Sequence, residues 1–433
     1  MSTSTPSRKP PARRVRPERR TRVDLLVSLF IVIVLVVAGV IVWWISPART
    51  TDSVPARSTP PTVTPATGVP EAFASRWSAE SAATDVPAIT ASTIVTADGG
   101  TVAGHDPSSG RVLWRYSRDS ALCTAAAAWP GSVNEVLAVY RNSRGCSEVT
   151  ALDGSTGVRK GARTSDADDT LHLITDSGYV LAQGPGRLET WGSNMVRGIE
   201  YGRVTAPVKP GVQPGRTDCH LYSSAISGDR VAVIERCAGD PGYRLTVLGA
   251  LLDSNEQVTQ YGSSLITDRA SADPPALIAM STSGIAVYDG GTNGNGPTPA
   301  TPRIRLFTAD GAAGASSEVK GAPRPPADSV ATFSSGLITY YTGEATVVLD
   351  AQSLRPRYQI PAALGPGEVM ADQLLLPSPS GITVRDPADG ADIRTITLPR
   401  RSATNGGTVI LRVLGDLVVE QRGAQLEVFG PKG

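Results

Sequence analysis

Side chains able to ligate a metal or attack a carbonyl are sparse in these 433 residues. There are four cysteines, Cys123, Cys146, Cys219 and Cys237, and no two stand at the C-x2-C spacing of structural zinc sites. Four cysteines allow three disulfide pairings. Three histidines, His105, His172 and His220, have no partner at i+3 or i+4, so no metal face or base–nucleophile pair is legible. The Gly-rich "GGTNGNG" from Gly290 opens no helix and makes a poor phosphate cradle. No catalytic, cofactor-binding or metal-ligating residue is assigned, and no cofactor is expected.

Charge sets further limits. Of 41 basic and 40 acidic residues, eight and two lie in residues 1–24, which leaves 33 against 38 beyond them. A mildly acidic body has no basic stripe to neutralise phosphates, so nucleic acid is not an expected partner. Arg, Ala, Gly and Val abundance matches a GC-rich bacterial genome. Leu25 to Ile45 is uncharged and, at 1.5 Å per residue, spans the roughly 30 Å hydrocarbon layer. The basic residues before it predict a cytoplasmic tail over 1–24, a transmembrane helix over 25–45 and an extracytoplasmic remainder. The run is longer than a signal-peptide core, and the one small-x-small site nearby, Ser46-Pro47-Ala48, contains a proline. Residues 46–70 are rich in Pro and Thr and read as an extended spacer clear of any core, with O-glycosylation possible.

From 71 to 433 there is no long 3.6-residue period. Short β-branched runs separated by Gly, Asp, Asn and Pro predict an all-β domain. Hairpins fall near 93–105, 135–152, 179–192, 230–249, 276–308, 337–350, 373–386 and 417–430. Their spacing of roughly 40 to 50 residues is that of four-stranded propeller blades. Eight blades are expected, with seven as the alternative and the fifth unit, interrupted by 290–302, as the weakest. That interruption reads as a mobile surface loop. The last hairpin ends at the C-terminus without a fourth strand, so 71–86 should supply one and close the ring. Cys123 and Cys146 then flank the first two strands of blade two, and Cys219 and Cys237 those of blade four. That matched placement favours Cys123–Cys146 and Cys219–Cys237, in a compartment where disulfides persist.

A turn motif recurs within these units. "ALDGSTGVRKG" carries Ala151, Asp153, Thr156 and Gly157, with Gly161 at the final aromatic place. "GHDPSSGRVLW" carries Asp106, Gly110 and Trp114; "VRDPADGADIR" carries Asp386 and Gly390, with Arg394 last; "VLDAQSLRPRY" carries Asp350 and ends on Tyr358. The Asp side chain can accept N–H groups two or three residues on, and Gly supplies the positive φ that ends the turn. Trp114 can then pack between blades. The pattern resembles the repeat of the PQQ-like, quinoprotein-type β-propellers, in a membrane-anchored bacterial (by composition actinobacterial) form lacking the cofactor site. Enzymes of that family carry a vicinal Cys-Cys pair and a calcium site; this chain has no Cys-Cys dipeptide. The resemblance therefore implies a non-catalytic plasma-membrane protein whose external propeller binds an envelope protein or polymer. A ligand-sensing ectodomain working through a partner chain and a PQQ-dependent dehydrogenase are the alternatives.

Overall fold

In a computed structural model, residues 21–204, 211–216, 218–266, 273–291, 301–400 and 407–432 are described, and the statements below concern those. Two compact units are present, Met1–Thr51 and Asp52–Gly433. The first contains the helix Arg22–Ile45, longer at its start than 25–45 because Thr21 and Asp24 form a reciprocal capping box. The side chains of Arg22–Trp44 are exposed, and the helix is long and apolar enough to cross a membrane.

The second unit is an eight-bladed β-propeller with four strands per blade. Blade one contains Ala88–Ile89, Ile94–Asp98, Thr101–His105 and Val112–Arg118; blade two, Leu122–Ala128, Glu135–Asn142, Gly145–Asp153 and Arg159–Thr164. Blade three contains His172–Thr175, Tyr179–Gln183, Arg187–Gly192 and Arg197–Gly202; blade four, His220–Ser227, Arg230–Arg236, Arg244–Leu252 and Val258–Leu265. Blade five contains Ala276–Ser281, Gly284–Asp289, Arg303–Phe307 and Ala313–Glu318; blade six, Thr332–Ser334, Leu337–Tyr341, Ala345–Asp350 and Pro356–Pro361. Blade seven contains Glu368–Met370, Gln373–Ser378, Gly381–Arg385 and Asp392–Thr397; blade eight, Ile410–Leu414, Leu417–Arg422, Gln425–Pro431 and Phe73–Glu80. All ladders with a determined register are antiparallel. The fifth hairpin proper joins Gly284–Asp289 to Arg303–Phe307; the expected range began a strand early, at 276. Most of the insertion between them lies outside the described residues.

Second and third strands are buried on both faces, since each sheet is sandwiched between two others. Val136–Val139, Val231–Ile234 and Leu374–Leu376 are therefore continuous apolar runs. Outer strands lose the pattern, and Ala313–Glu318 is exposed throughout.

Closure occurs as the missing fourth strand required. Phe73–Glu80 pairs with Gln425–Pro431, from Phe73 opposite Pro431 to Glu80 opposite Gln425. Beyond it, Ser81 N–H donates to Ala424 O (2.7 Å), and the buried Gln421 amide latches the crossing segment. Its Nε2 donates to Thr84 O (2.6 Å), and its Oε1 accepts from Thr84 Oγ1 (3.1 Å).

The spacer expectation for 46–70 is overturned from residue 52 onward. Thr51–Val54 adds a fifth strand outside Val112–Arg118, and Arg115 binds Asp52 at 2.7 Å. Ala56 N–H donates to Thr156 O and Val63 N–H to Ala91 O, each at 2.9 Å. Pro60, Val63, Ala66 and Val69 are half-buried while the residues between them are exposed. A three-residue period is that of polyproline II, which needs no internal hydrogen bonds and can lay one side on a surface. Composition suggested a tether; the spacing of small apolar residues makes it a strap.

Both disulfides form as paired above, but their placement is not mirrored. Cys219 and Cys237 do flank the first two strands of blade four. In blade two Cys123 lies within the first strand and Cys146 within the third, so that bridge passes the end of the second strand. Each bridge contributes about 2–4 kcal/mol in the chain-entropy picture.

Candidate functional site

In four motif turns the Asp side chain accepts from backbone N–H groups of its own turn, two in each of the first three and one in the last. Asp106 Oδ1 accepts from Ser108 N–H (3.2 Å) and Ser109 N–H (3.0 Å); Asp153 Oδ1 accepts from Ser155 N–H (3.1 Å) and Thr156 N–H (2.9 Å). Asp350 Oδ1 accepts from Gln352 and Ser353 N–H, and Asp386 Oδ1 from Ala388 N–H. Gly110, Gly157 and Gly390 have φ of +72°, +70° and +77°. Ala151 is buried on the third strand that delivers the Asp153 turn.

Each of these glycines receives an aromatic ring from the outer strand of the preceding blade. Trp77 covers Gly110, Trp114 covers Gly157 and Tyr358 covers Gly390; a Cβ on any of the three would stand 2.6–2.7 Å from ring carbons. The rings also donate: Trp77 Nε1 to Pro107 O (2.9 Å), Trp114 Nε1 to Gly154 O (3.2 Å) and Tyr358 OH to Pro387 O (2.7 Å). Where the ring is absent, the next turn compensates. Gly161 replaces the aromatic of blade two, and Met195 of the blade-three turn (φ +62°) stands over it, 3.2 Å from where its Cβ would be. Leu354 takes the glycine place of blade six at φ +59° and is buried in the core shared by blades five and six. Arg394 has no turn to meet, because the fourth strand of blade eight comes from the N-terminal side. Its guanidinium donates instead to Val69 O (2.8 Å) and Pro70 O (3.2 Å) of the strap. The motif residues thus hold blade to blade, and Trp77, Met195 and Leu354 belong with them. Trp77 alone had a sequence signal, as the ring in the closing strand.

The histidines do not converge. His105 is buried beneath Trp77, stacked at 5.1 Å. Gly110 O, 2.9 Å from Nδ1, can only accept, so Nδ1 carries the proton and Nε2 accepts from Thr96 Oγ1 at 2.8 Å. Burial lowers its pKa, against the pull of the Gly110 carbonyl. A lowered folded pKa supplies stability that is present above the ordinary value of about 6.5 and is lost as pH falls through the lowered one. The melting temperature of the protein is therefore expected to fall between about pH 7.5 and pH 5, with a shallower slope in His105→Gln. Equal slopes would remove His105 from the account. His172 is exposed and pairs with Asp85 at 3.0 Å; His220 is exposed beside Tyr222.

First strands line the axis, where no further strand can satisfy their backbone, and side chains from the neighbouring blade do so instead. Leu277 N–H donates to Ser223 Oγ (2.9 Å), Val369 N–H to Ser334 Oγ (3.1 Å) and Val413 N–H to Glu368 Oε2 (2.9 Å). Arg412 donates to Thr332 Oγ1 (2.5 Å). Burial raises the Glu368 pKa, opposed by the Arg412 charge. Glu368 is the one carboxylate on the described first strands. With that oxygen already engaged and no vicinal cysteine pair, this donor set does not fit a calcium–quinone site.

Short turns link first to second and third to fourth strands at one end of the ring; longer connections, including 319–331, start and end at the other. The strap lies on the short-turn end, against Thr156, Ala91 and Gly415. Both disulfides lie at the long-loop end. Beside Cys219–Cys237, His220 and Tyr222 meet edge to face at 4.5 Å, as do Tyr222 and Tyr243 at 5.2 Å, and Arg324 pairs with Asp273 across the same patch. Burial pushes the Tyr243 pKa up, with Tyr222 adding to it. Below lies Glu235, fully buried, accepting from Tyr201 OH (2.8 Å) and Thr246 Oγ1 (2.5 Å) and paired with Arg216 at 3.1 Å. Cys219, Cys237 and Glu235 have ligand atoms within 4.8 Å of one another, but the two sulfurs are bonded to each other and offer no thiolate. The patch can make aromatic, cationic and hydrogen-bonding contacts, the chemistry of a binding surface.

No protein-family model and no curated protein sequence matches the chain. Among solved structures, the WD40 domain of Pan2 from Neurospora crassa is similar at 12% identity and a TM-score of 0.42, over 72% of this chain and 90% of that one. The dihydro-heme d1 dehydrogenase NirN, in complex with DHE, is similar at 11% identity and a TM-score of 0.46, over 73% of this chain and 66% of that one.

Proposed function

We propose that this chain is a single-pass membrane protein whose extracytoplasmic propeller is a non-catalytic scaffold, binding an envelope protein or polymer through the long-loop end. The observation that carries the reading is the position of the two disulfides. Both staple that end, which suits an oxidising compartment and rigid display of His220 and Tyr222, with buried Tyr243 supporting Tyr222. The apolar helix would be the retained anchor, with the basic tail inside. A reporter fused after Gly433 should work only outside the cytoplasm, and the mature chain should keep its N-terminal helix. A photo-crosslinker at Tyr222 should capture a discrete membrane-derived partner that one at Asp386, on the short-turn end, does not. Equal capture from both positions would overturn the choice of face. Capture that depends on an added small molecule would favour ligand sensing, and turnover of an alcohol with added quinone would favour the dehydrogenase.

A further inference from the structure

The strap presents a set of hydroxyls that the propeller does not use. Between Pro60 and Val69 every third residue faces the blades. Val63 packs on the cluster containing Leu414 and Leu417, and Ala66 and Val69 pack on the one containing Phe73 and Leu411. The intervening residues Pro61, Thr62, Thr64, Pro65, Thr67 and Gly68 are exposed. Among the described residues, the hydroxyls of Thr62, Thr64 and Thr67 have no hydrogen-bond partner. Proline on either side keeps this stretch extended.

We propose that Thr62, Thr64 and Thr67 are acceptors for O-linked hexose. The inference rests on the extracytoplasmic placement argued above. The donor class is a polyprenyl-phosphate hexose. Threonine Oγ1 bonds to the anomeric carbon, the bond from that carbon to the phosphate oxygen breaks, polyprenyl phosphate leaves with the electron pair, and a base of the transferase takes the hydroxyl proton. These positions suit the modification because a sugar on the outward sides leaves every strap contact intact. The inward positions are Val63, Ala66 and Val69, which have no hydroxyl to accept a sugar. Whether it is added before or after folding, the folded strap can carry it only at the outward positions.

The test uses the full chain purified from membranes of the organism that encodes it, with intact-mass measurement and fragmentation of the peptide spanning 58–76. One or more hexose increments on Thr62, Thr64 or Thr67 are expected. They should vanish in the triple variant T62V/T64V/T67V, whose melting temperature should match that of the same protein stripped of sugar. A bare peptide in protein with both disulfides oxidised and an active C-terminal reporter would overturn this proposal and leave the placement standing. Sugars confined to Ser58 or Thr59 would overturn it too. Reduced cysteines with a silent reporter would overturn the placement, and this inference with it.

Discussion

Deleting residues 73–80 from the full chain is expected to abolish folding, whereas deleting 52–69 should leave a folded but weakened ring. The first deletion removes the fourth strand of blade eight, so Gln425–Pro431 loses its ladder partner and becomes an open apolar edge, which invites association between chains. It also removes the Phe73 and Trp77 side chains, both buried, and with Trp77 the contact to the blade-one turn. Large-to-small losses of that kind cost about 3–5 kcal/mol each, which together approaches the whole stability of an ordinary domain, about 5–15 kcal/mol. Loss of the strap removes half-buried Val63, Ala66 and Val69. With full burial of a valine side chain worth about 1.5–3 kcal/mol, half-burial should come to about 1 kcal/mol for each of Val63 and Val69 and less for the single methyl of Ala66. Size-exclusion chromatography and melting of the two variants in detergent check the ranking. A monomeric, cooperatively melting 73–80 deletion would mean that the ring holds without its closing strand.

The second large effect is expected where Trp114 meets Gly157. Trp114→Ala should cost about 3–5 kcal/mol, since the ring is fully buried and its Nε1 is satisfied by Gly154 O. Gly157→Met alone should also be severe. Its Cβ would stand 2.7 Å from the Trp114 ring, at a φ of +70° that a side-chain-bearing residue pays about 1–2 kcal/mol to adopt. Combined as Trp114→Gly with Gly157→Met, the pair reproduces the arrangement already present between blades two and three, where Gly161 lies under Met195. The double variant should therefore be more stable than the sum of its singles by at least about 1 kcal/mol, in the range seen for residues in direct contact. Denaturant unfolding of the unmodified protein, Trp114→Gly, Gly157→Met and the double variant measures that coupling, and strict additivity would show that the two junction types are not interchangeable.

These junctions also separate what the sequence determined from what only the tertiary structure decided. The helix, the eight hairpins, the Asp–Gly turns and the need for a closing strand were all legible, because each rests on local features. An uncharged run long enough for a bilayer, alternation between short breaks, and a side chain accepting N–H groups two or three residues away all lie within one short window. The pairing of Cys219 with Cys237 was legible for the same reason, as the two close one hairpin. What could not be read from the chain depends on partners far apart along it. Val63 and Ala66 look like spacer residues until blades seven and eight supply an apolar surface, and Arg394 looks like a lost aromatic until Val69 and Pro70 arrive from over 300 residues away. Met195 and Leu354 sit in turns where glycine is the local choice and hold positive φ while packed toward the blade before, Met195 over Gly161 and Leu354 in the core shared by blades five and six. Glu368 and Gln421 carry no motif at all. Their roles exist because ring closure leaves first-strand N–H groups at the axis, and carbonyls at the seam, that only a side chain from a neighbouring blade can satisfy. Local backbone chemistry made the blades; the fit of one blade to the next was settled by shape and hydrogen-bond demand across the ring.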